Sequence, residues 1–294
     1  MTKKLIRKDR ILITGSTGFI GKNLFQALKY NYDILAPKKN ELNLQNLSAL
    51  KKYLNLNKPE FIIHLASSTI NKYKKNIDIK RLHYLNTFLT TLNLAKSINY
   101  KCKLVIFFGS IEEYGLSKLP FSERNIPRPI SDYGKAKLNA LKEIEPIMKN
   151  KKIRYTWLRP SLTYGFFDQK ERYLGHIIQC IKNEKKIIIK PGNQIRDFLY
   201  IEDLIKILNL ILINYKKRIG ILNISPASKI LIKEMPAIIS KILNKNLNIL
   251  IKEKNSREYD LYLSNKKLLK IFPELKFVSL KEGLKKTLKM HKLK

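Results

Sequence analysis

Three glycines stand at the spacing G-x-x-G-x-x-G in the stretch Thr14-Gly15-Ser16-Thr17-Gly18-Phe19-Ile20-Gly21. The stretch follows a short apolar segment, residues 10–14, and leads into apolar residues at helical spacing, so it joins a predicted strand to a predicted helix. At such a junction Gly15 permits a tight turn, Gly18 lets a pyrophosphate approach the backbone, and Gly21 lets the helix pack against the sheet. The free N–H groups of the helix start also attract phosphate. The stretch therefore predicts a phosphate-binding turn that opens an α/β sheet.

Strand-like and helix-like segments alternate along the first half of the chain. The strands expected after the first are residues 32–36, 61–65 and 104–108, and the expected helices are residues 20–28, 47–54 and 82–98. Strands that alternate with helices form parallel sheets with right-handed crossovers. The expected fold class is therefore α/β, with a doubly wound parallel sheet.

The second half of the chain has shorter and more mixed segments. A further strand is expected at residues 153–158, and helices are expected at residues 177–181, 232–243, 266–272 and 280–288. We expect residues 1–165 to form the sheet domain, with residues 197–223 returning to it. Residues 166–196 and 224–294 are expected to form a smaller C-terminal cap that closes over the sheet.

The charge of the chain is strongly positive, with a formal net charge of +36 over 294 residues. Only 11 of the 59 basic residues are Arg, and the Lys residues are spread over nearly every segment. Proteins that read nucleic-acid grooves rely on Arg, and an unclustered excess of Lys is typical of solvated surfaces. Nucleic acid is therefore disfavoured as the main partner, whereas acidic small molecules such as nucleotides remain compatible.

The two cysteines, Cys102 and Cys180, lie far apart and have no metal-ligand spacing, so neither a disulfide framework nor a metal site is expected. A reducing cytoplasm fits this usage. No apolar run reaches the roughly 18 residues that a membrane span needs. The apolar stretch near the N-terminus is also too short for a signal sequence. We therefore expect a cytoplasmic protein without a membrane span.

A tyrosine and a lysine stand four residues apart in Tyr133-Gly134-Lys135-Ala136-Lys137. At a helix start this spacing puts both side chains on one face, where an ammonium group favours the ionised form of a phenol. Upstream, the apolar strand 104–108 leads into Gly109-Ser110, which puts a hydroxyl at the carboxyl end of a central strand. Together these residues predict an acid–base site, although a Tyr-x-x-x-Lys pair alone is more often a solvated helix face.

These motifs resemble those of the extended short-chain dehydrogenases/reductases, in the group of sugar-nucleotide epimerases, dehydratases and reductases. The five matching segments are the glycine-rich stretch, His64-Leu65-Ala66, Gly109-Ser110-Ile111-Glu112-Glu113-Tyr114-Gly115, the Tyr133 to Lys137 segment, and Arg196-Asp197-Phe198-Leu199-Tyr200-Ile201-Glu202-Asp203. Their order covers almost the whole chain. The resemblance implies a Rossmann domain with a C-terminal substrate-binding domain, an NAD(P) cofactor, a nucleoside-diphosphate sugar as substrate, and a homodimer.

The resemblance also implies residue roles. Tyr133 would be the acid/base, Lys137 would lower its pKa and bind the nicotinamide ribose, and Ser110 would hydrogen-bond the reacting sugar oxygen. The implied cofactor-binding residues are Gly15, Thr17, Gly18, Phe19, Ile20, Gly21, Lys38, Lys39, Asn43, Leu44, Leu65, Ala66, Tyr133 and Lys137. The implied substrate-binding residues are Ser110, Tyr133, Arg196 and Arg257. Asn86 matches a family residue that supports the site, with a helix-surface amide as an equal alternative.

The end of the second strand bears on the choice of cofactor. NAD-binding sites normally present a carboxylate to the ribose 2′-hydroxyl there, about 20 residues after the glycines. This chain instead has Lys38 and Lys39. Two ammonium groups suit a 2′-phosphate, so NADP(H) is favoured and NAD(H) remains possible.

The residues around Ser110 bear on the reaction. Related dehydratases carry an Asp-Glu pair after the hydroxyl residue, whereas this chain has Ile111-Glu112, and Ile111 cannot donate a proton. The form G-S-x-E-E-Y-G is most similar to reductases that convert 4-keto-6-deoxy sugar nucleotides into 6-deoxyhexoses. Leu162 stands where the family usually has an Asn that touches the substrate, and no residue selects the nucleotide base.

The expected activity is therefore NADPH-dependent reduction of a 4-keto-6-deoxyhexose, with Tyr133 as proton donor. The alternative enzyme is an NDP-sugar 4-epimerase with tightly bound NAD, which would use the same residues. An alternative of another class is a non-catalytic dinucleotide-binding or RNA-associated protein. The intact set of Ser110, Tyr133 and Lys137 argues against it.

Overall fold

The computed structural model of the protein describes residues 8–68, 78–189, 192–251 and 259–293. The strands are β1 (Arg10–Thr14), β2 (Asp33–Leu35), β3 (Phe61–His64), β4 (Leu104–Phe108), β5 (Tyr155–Pro160), β6 (Leu162–Tyr164), β7 (Ile187–Ile189), β8 (Ile195–Arg196), β9 (Phe198–Tyr200), β10 (Gly220–Ile224), β11 (Ile230–Leu231) and β12 (Ile249–Ile251). The α-helices are α1 (Phe19–Leu28), α2 (Leu47–Asn57), α3 (Ile79–His83), α4 (Thr90–Ser97), α5 (Asp132–Asn150), α6 (Tyr173–Lys182), α7 (Ile201–Ile213), α8 (Met235–Leu243), α9 (Lys266–Ile271) and α10 (Leu280–Met290).

Six strands form a parallel sheet in the order β10-β5-β4-β3-β1-β2. The chain runs from β1 outward to β2 and then returns to the other side of β1 with β3. The strand order therefore reverses between β1 and β3, where ligands bind in open α/β sheets. Thr14 and His64, the last residues of these two strands, lie opposite each other in the register. The expected doubly wound parallel sheet is confirmed.

Alternate residues of each strand pack into separate cores on the two faces of the sheet. In β1, Ile11 and Ile13 belong to the core that includes α1 and α7, whereas Leu12 belongs to the core that includes α2, α4 and α5. All three side chains are fully buried. Burial of both faces explains why these strands are continuous apolar runs in the sequence.

The helix expected at residues 82–98 has a more complex form. It consists of α3, a π-helical segment at Tyr84–Leu89, and α4. Thr91 Oγ1 donates a 2.6 Å hydrogen bond to the carbonyl oxygen of Thr87, and Thr90 Oγ1 donates one of 3.1 Å to that of Asn86. Hydroxyl bonds to carbonyls one turn earlier compete with the regular ladder, and π segments of this kind occur at functional sites.

After β5, the described part of the chain adds three two-stranded sheets and one more strand of the main sheet. The small sheets pair β6 with β9, β7 with β12, and β8 with β11. The strand β10 pairs with β5, so the chain returns to the main sheet at residues 220–224. Asp197, between β8 and β9, is buried and accepts hydrogen bonds from Ser225, Ser228 and the backbone N–H of Leu263.

Candidate functional site

The glycine-rich stretch forms the turn between β1 and α1. Gly15 has φ +73°, and a Cβ on it would lie 2.7 Å from the backbone nitrogen of Ala66. A Cβ on Gly21 would lie 2.3 Å from the carbonyl oxygen of Gly15. The turn therefore needs glycine at both positions, because the chain doubles back on itself and against the end of β3. Gly18 stands directly before α1, where the unpaired N–H groups of the helix start are available to an anion.

One cleft at the carboxyl end of the sheet is lined by the cofactor-binding residues that are predicted after the second strand. Its volume is about 270 Å³. It is lined by Gly15, Thr17, Lys38, Lys39, Asn43, Leu44, Ala66 and Asn86, among others. Among the described residues, no carboxylate lines this cleft. The carboxylate of Glu41 accepts a 2.8 Å hydrogen bond from the backbone N–H of Lys38. Both lysine side chains are exposed, so their ammonium groups are available to a ligand.

A second cleft holds the predicted acid–base residues. Its volume is about 380 Å³. Its predicted residues are Gly15, Gly18, Phe19, Ile20, Gly21, Leu65, Ser110, Tyr133 and Lys137. Gly15 and Ser67 line both clefts, so the two form one groove that passes over the glycine turn. This groove has the parts that a dinucleotide requires, namely a phosphate-binding turn between two wider ends.

The Tyr133 and Lys137 side chains lie on one face of the first turns of α5, as their spacing predicts. The side chain of Ser131 starts this helix by accepting a 3.0 Å hydrogen bond from the N–H of Gly134. Lys137 Nζ lies 5.7 Å from the centre of the Tyr133 ring and donates a 2.5 Å hydrogen bond to the carbonyl oxygen of Phe108. The Tyr133 hydroxyl accepts a 3.4 Å hydrogen bond from Ser67 Oγ.

Burial controls the protonation of both groups. It raises the pKa of Tyr133 to about 12, against a smaller lowering by the Ser67 hydrogen bond. It lowers the pKa of Lys137 to about 8, while the charge of Glu113 acts in the opposite direction. Desolvation of the phenolate outweighs the groups that lower its pKa, so the role of Lys137 in lowering the pKa of Tyr133 stays a prediction. At neutral pH the phenol carries its proton and the ammonium is charged.

Ser110 lies at the carboxyl end of β4, where its strand predicts it. It starts a short 3₁₀ helix at Ile111–Glu113. Its Oγ accepts a 3.2 Å hydrogen bond from the N–H of Glu112, and its own N–H donates one of 2.8 Å to Glu113 Oε1. Glu112 also lines the groove, and its carboxylate accepts a hydrogen bond from Ser131 Oγ. The hydroxyls of Ser110 and Tyr133 thus enter one cleft from two elements.

Arg172 is a groove residue that the sequence motifs did not reveal. Its Nη1 lies 3.0 Å from Asp168 Oδ1, and its Nη2 donates a 2.8 Å hydrogen bond to the carbonyl oxygen of Thr163. Its guanidinium carbon lies 5.0 Å from the centre of the Phe19 ring at the start of α1. The scarcity of Arg in this chain is the one signal that could have singled it out. The guanidinium adds positive charge where a phosphate would meet the helix start.

Leu162, the departure from the family pattern, lines the same cleft, beside Ser161. The hydroxyl of Ser161 is buried and has no hydrogen-bond partner among the described residues. An apolar side chain thus stands where an amide was expected.

Of the two other predicted substrate residues, one lies away from the groove and one lies outside the described residues. Arg196, in β8, lines neither cleft and donates a 2.8 Å hydrogen bond to the carbonyl oxygen of Tyr259. Arg257 lies outside the described residues. Asn86 lines the first cleft, where its Oδ1 accepts a 2.9 Å hydrogen bond from Gln45.

The described residues contain no cluster of three or more His, Cys, Asp or Glu side chains suited to a metal ion. Across the same parts of the chain, no helix has both the length and the apolar content to cross a membrane.

Known proteins resemble this chain over nearly its full length. A protein of Methanocaldococcus jannaschii named "Putative UDP-glucose 4-epimerase" is 29% identical over 94% of this chain and 96% of its own. The dTDP-4-dehydro-6-deoxyglucose reductase of Escherichia coli is 28% identical over 81% of this chain and 83% of its own. The crystal structure of UDP-glucuronic acid 4-epimerase from Bacillus cereus, in complex with UDP-glucuronic acid and NAD, has the same fold. It superposes with a TM-score of 0.85 at 24% identity, covering 96% of this chain and 99% of that one.

The sequence pattern of the NAD dependent epimerase/dehydratase family matches residues 11–225. The match begins in β1 and ends just after β10, so it spans all six strands of the main sheet and the whole groove. Since it covers most of the chain, the protein belongs to the NAD dependent epimerase/dehydratase family and is an enzyme.

Proposed function

We propose that this enzyme uses NADPH to reduce the keto group of a nucleoside-diphosphate 4-keto-6-deoxyhexose, giving the 6-deoxyhexose. One observation carries the proposal. At one end of a single groove the described residues include two lysines and no carboxylate, and at the other end the hydroxyls of Ser110 and Tyr133 lie beside the ammonium of Lys137. The first end suits a 2′-phosphate, and the second suits a carbonyl that must receive a proton.

The protonation state of Tyr133 is the one that reduction requires. When bound, the cofactor supplies the hydride. The chain must then supply a proton to the carbonyl oxygen, and the Tyr133 phenol, with its pKa raised to about 12, holds that proton at neutral pH. Ser110 Oγ hydrogen-bonds the same oxygen, and the charged Lys137 favours the phenolate that remains.

The cationic side chain of Arg172, which also lines the second cleft, suits a substrate with a diphosphate. Arg172 presents its guanidinium beside Phe19, and a guanidinium can bind two phosphate oxygens at once. We propose that Arg172 binds phosphate groups of the cofactor or of the sugar nucleotide in the groove. Arg196 and Arg257 stay proposed substrate contacts on the resemblance alone. The reductase activity named for the Escherichia coli relative supports the reaction class.

The assembly and compartment are also proposals. We propose a homodimer, on the family resemblance, and a cytoplasmic location, because Cys102 and Cys180 are both free thiols.

A 4-epimerase is the second candidate, and the Methanocaldococcus jannaschii relative favours it, because that protein matches this chain over nearly its full length. In that case NAD would stay bound through purification, and the sugar would leave at its original oxidation level.

The test is an assay of cofactor consumption. The purified protein is mixed with NADPH or NADH and a panel of 4-keto-6-deoxy sugar nucleotides that differ in their base. Stoichiometric oxidation of NADPH with one compound supports the reductase and identifies the base. If neither cofactor is oxidised and NAD is released on denaturation, the epimerase would replace the reductase as the proposed function.

A further inference from the structure

A buried ion pair lies directly behind Ser110, on the side away from the groove. Glu113 and Arg159 are 0% and 1% exposed, and their side chains meet at 2.7 Å between Oε2 and Nη2. A second bond of 2.8 Å joins Arg159 Nε to the same oxygen. The other carboxylate oxygen, Oε1, accepts a 3.0 Å hydrogen bond from the indole N–H of Trp157, which is also fully buried.

The side chains of Glu113 and Trp157 contact the backbone at the end of β4. Glu113 Oε1 accepts the N–H of Ser110 at 2.8 Å. A Cβ on Gly109 would lie 2.2 Å from Trp157 Nε1 and 2.3 Å from Glu113 Oε1, so both groups press against this backbone. From the other direction, Lys137 donates its 2.5 Å hydrogen bond to the carbonyl oxygen of Phe108. The backbone of residues 108–110 is thus held by charged side chains on two sides.

A contribution to folding stability does not by itself explain why this ion pair is buried. Removing two charges from water costs free energy that their attraction barely recovers, and well-packed apolar replacements are often neutral or stabilising. The pair joins Arg159 in β5 to Glu113 in the turn after β4, which is 46 positions earlier. The carboxylate oxygen that does not bond to Arg159, Oε1, accepts the N–H of Ser110, a residue of the groove. Its location therefore indicates a task at Ser110.

We propose that Glu113, held by Arg159 and Trp157, is a positioning residue that sets the direction of Ser110 Oγ towards the reacting oxygen of the substrate. The inference rests on the proposed function, which gives Ser110 that contact. Glu113 itself does not line the groove. Misplacing a reacting group by about 1 Å can cost roughly 100-fold in rate, so a small turn of Ser110 has a measurable effect.

The decisive variant replaces both charges, as Glu113→Val with Arg159→Met, because a single replacement would leave a buried charge without a partner. We expect it to fold and to bind NADPH with a Kd within about twofold of wild type, while kcat falls about 10- to 100-fold. The amide of Ser110, followed by hydrogen–deuterium exchange, should exchange at least about tenfold faster. A folded double variant with wild-type kcat and wild-type exchange would overturn the inference.

A mutant cycle with Ser110→Ala separates positioning from a general loss of structure. If the pair acts through Ser110, then adding the double replacement to Ser110→Ala costs little further activity. Full additivity of the two losses would contradict the proposal. The pH profile gives a second distinction. Loss of the Glu113 charge removes a group that raises the pKa of Lys137, so the alkaline limb of kcat should move to lower pH, whereas a structural loss would scale kcat equally at every pH.

The matched control is the pair formed by Arg10 and Asp33, replaced by Met and Val. It joins β1 and β2 at the amino end of the sheet, so kcat and the exchange of the Ser110 amide should not change. If the double variant does not fold, Trp157→Phe carries the test. It removes one bond to Glu113 Oε1, and kcat should fall several-fold with faster Ser110 exchange; wild-type values would overturn the proposal.

The exchange measurement also keeps the two proposals apart. If wild-type protein reduces no compound of the panel, the proposed function fails. Faster exchange at Ser110 in the double variant would still support the inference that Glu113 and Arg159 hold the Ser110 backbone. If the wild type is active and Ser110→Ala is impaired, but the pair variants behave as wild type, only the positioning role fails.

Discussion

At the scale of single residues, the phenol of Tyr133 and the ammonium of Lys137 occupy the positions that their spacing predicts. Their charge states, however, are set by burial, which the sequence does not display. The raised pKa of Tyr133 keeps the phenol protonated at neutral pH, and the lowered pKa of Lys137, about 8, leaves the ammonium mostly charged there. Both features suit the delivery of a proton to a carbonyl.

Tyr133→Phe is expected to lower kcat by roughly 10² to 10⁴, because the variant cannot transfer a proton. The Kd for NADPH, measured by fluorescence titration, should change little, since the ring remains. Tyr84→Phe is the control, because Tyr84 is 52% exposed and lies outside both clefts. Undiminished turnover by Tyr133→Phe would remove Tyr133 from the mechanism.

Replacing Lys38 and Lys39 together by Ala is expected to weaken NADPH binding roughly tenfold, because exposed charge pairs of this kind are worth about 1 kcal/mol or less each. NADH, which has no 2′-phosphate, should bind as before. The control replaces Lys51 and Lys52, which are exposed on α2 outside the groove. Equal losses for NADPH and NADH would show that the two lysines do not recognise the phosphate.

At the scale of elements, the turn between β1 and α1 depends on close backbone contacts. Gly21→Ala would put a methyl group 2.3 Å from the carbonyl oxygen of Gly15. We expect a loss of about 1 to 3 kcal/mol in the free energy of unfolding, and at least tenfold weaker cofactor binding, because the turn must open. Urea unfolding and NADPH titration measure the two effects. Gln26→Ala, on the exposed face of the same helix, should leave both unchanged.

Asp197 ties β9 to the segments that contain Ser228 and Leu263 and gives stability a defined pH dependence. Burial raises its pKa to about 6, although Ser225, Ser228 and Leu263 donate hydrogen bonds to it. The folded protein therefore keeps this proton at pH values where the unfolded chain has lost it. Stability from this group is greatest near pH 4 and falls as the pH rises through 6.

We expect the unfolding free energy of wild type, relative to Asp197→Asn, to fall by about 2 kcal/mol between pH 4 and pH 7. Urea unfolding of both proteins at several pH values measures this difference, with the variant as the internal reference because it cannot titrate. A difference that is constant across this range, or that grows with pH, would contradict the raised pKa.

Elements could be predicted where apolar runs are bounded by glycine or by polar residues. The strands β1 and β4 have the expected bounds, because each is a short apolar run that ends at a turn. The helix expected at residues 82–98 is present as a continuous helical stretch from residue 79 to residue 97, but it contains a π segment, and Thr90 and Thr91 bond to carbonyls of the preceding turn. Apolar spacing does not report such local competition.

At the scale of the whole molecule, the fold and the candidate acid–base residues follow from motifs, whereas the surroundings of those residues arise from distant pairings. Arg159 and Glu113 are 46 positions apart, and Arg172 reaches the groove from the position directly before α6. Arg196 matches a motif, yet its guanidinium turns to the carbonyl oxygen of Tyr259. No local pattern encodes these contacts, because they depend on how the second half of the chain packs on the first.

The whole enzyme performs one net change if the proposed function is right, namely transfer of one hydride from cofactor to sugar. The most direct measurement uses NADPH that carries deuterium at the transferred position, with the panel compound that is consumed, and determines the mass of the sugar product. We predict one deuterium in each product sugar and one oxidised cofactor formed. A sugar nucleotide that is isomerised without deuterium, with no cofactor consumed, would contradict the reductase and identify an epimerase.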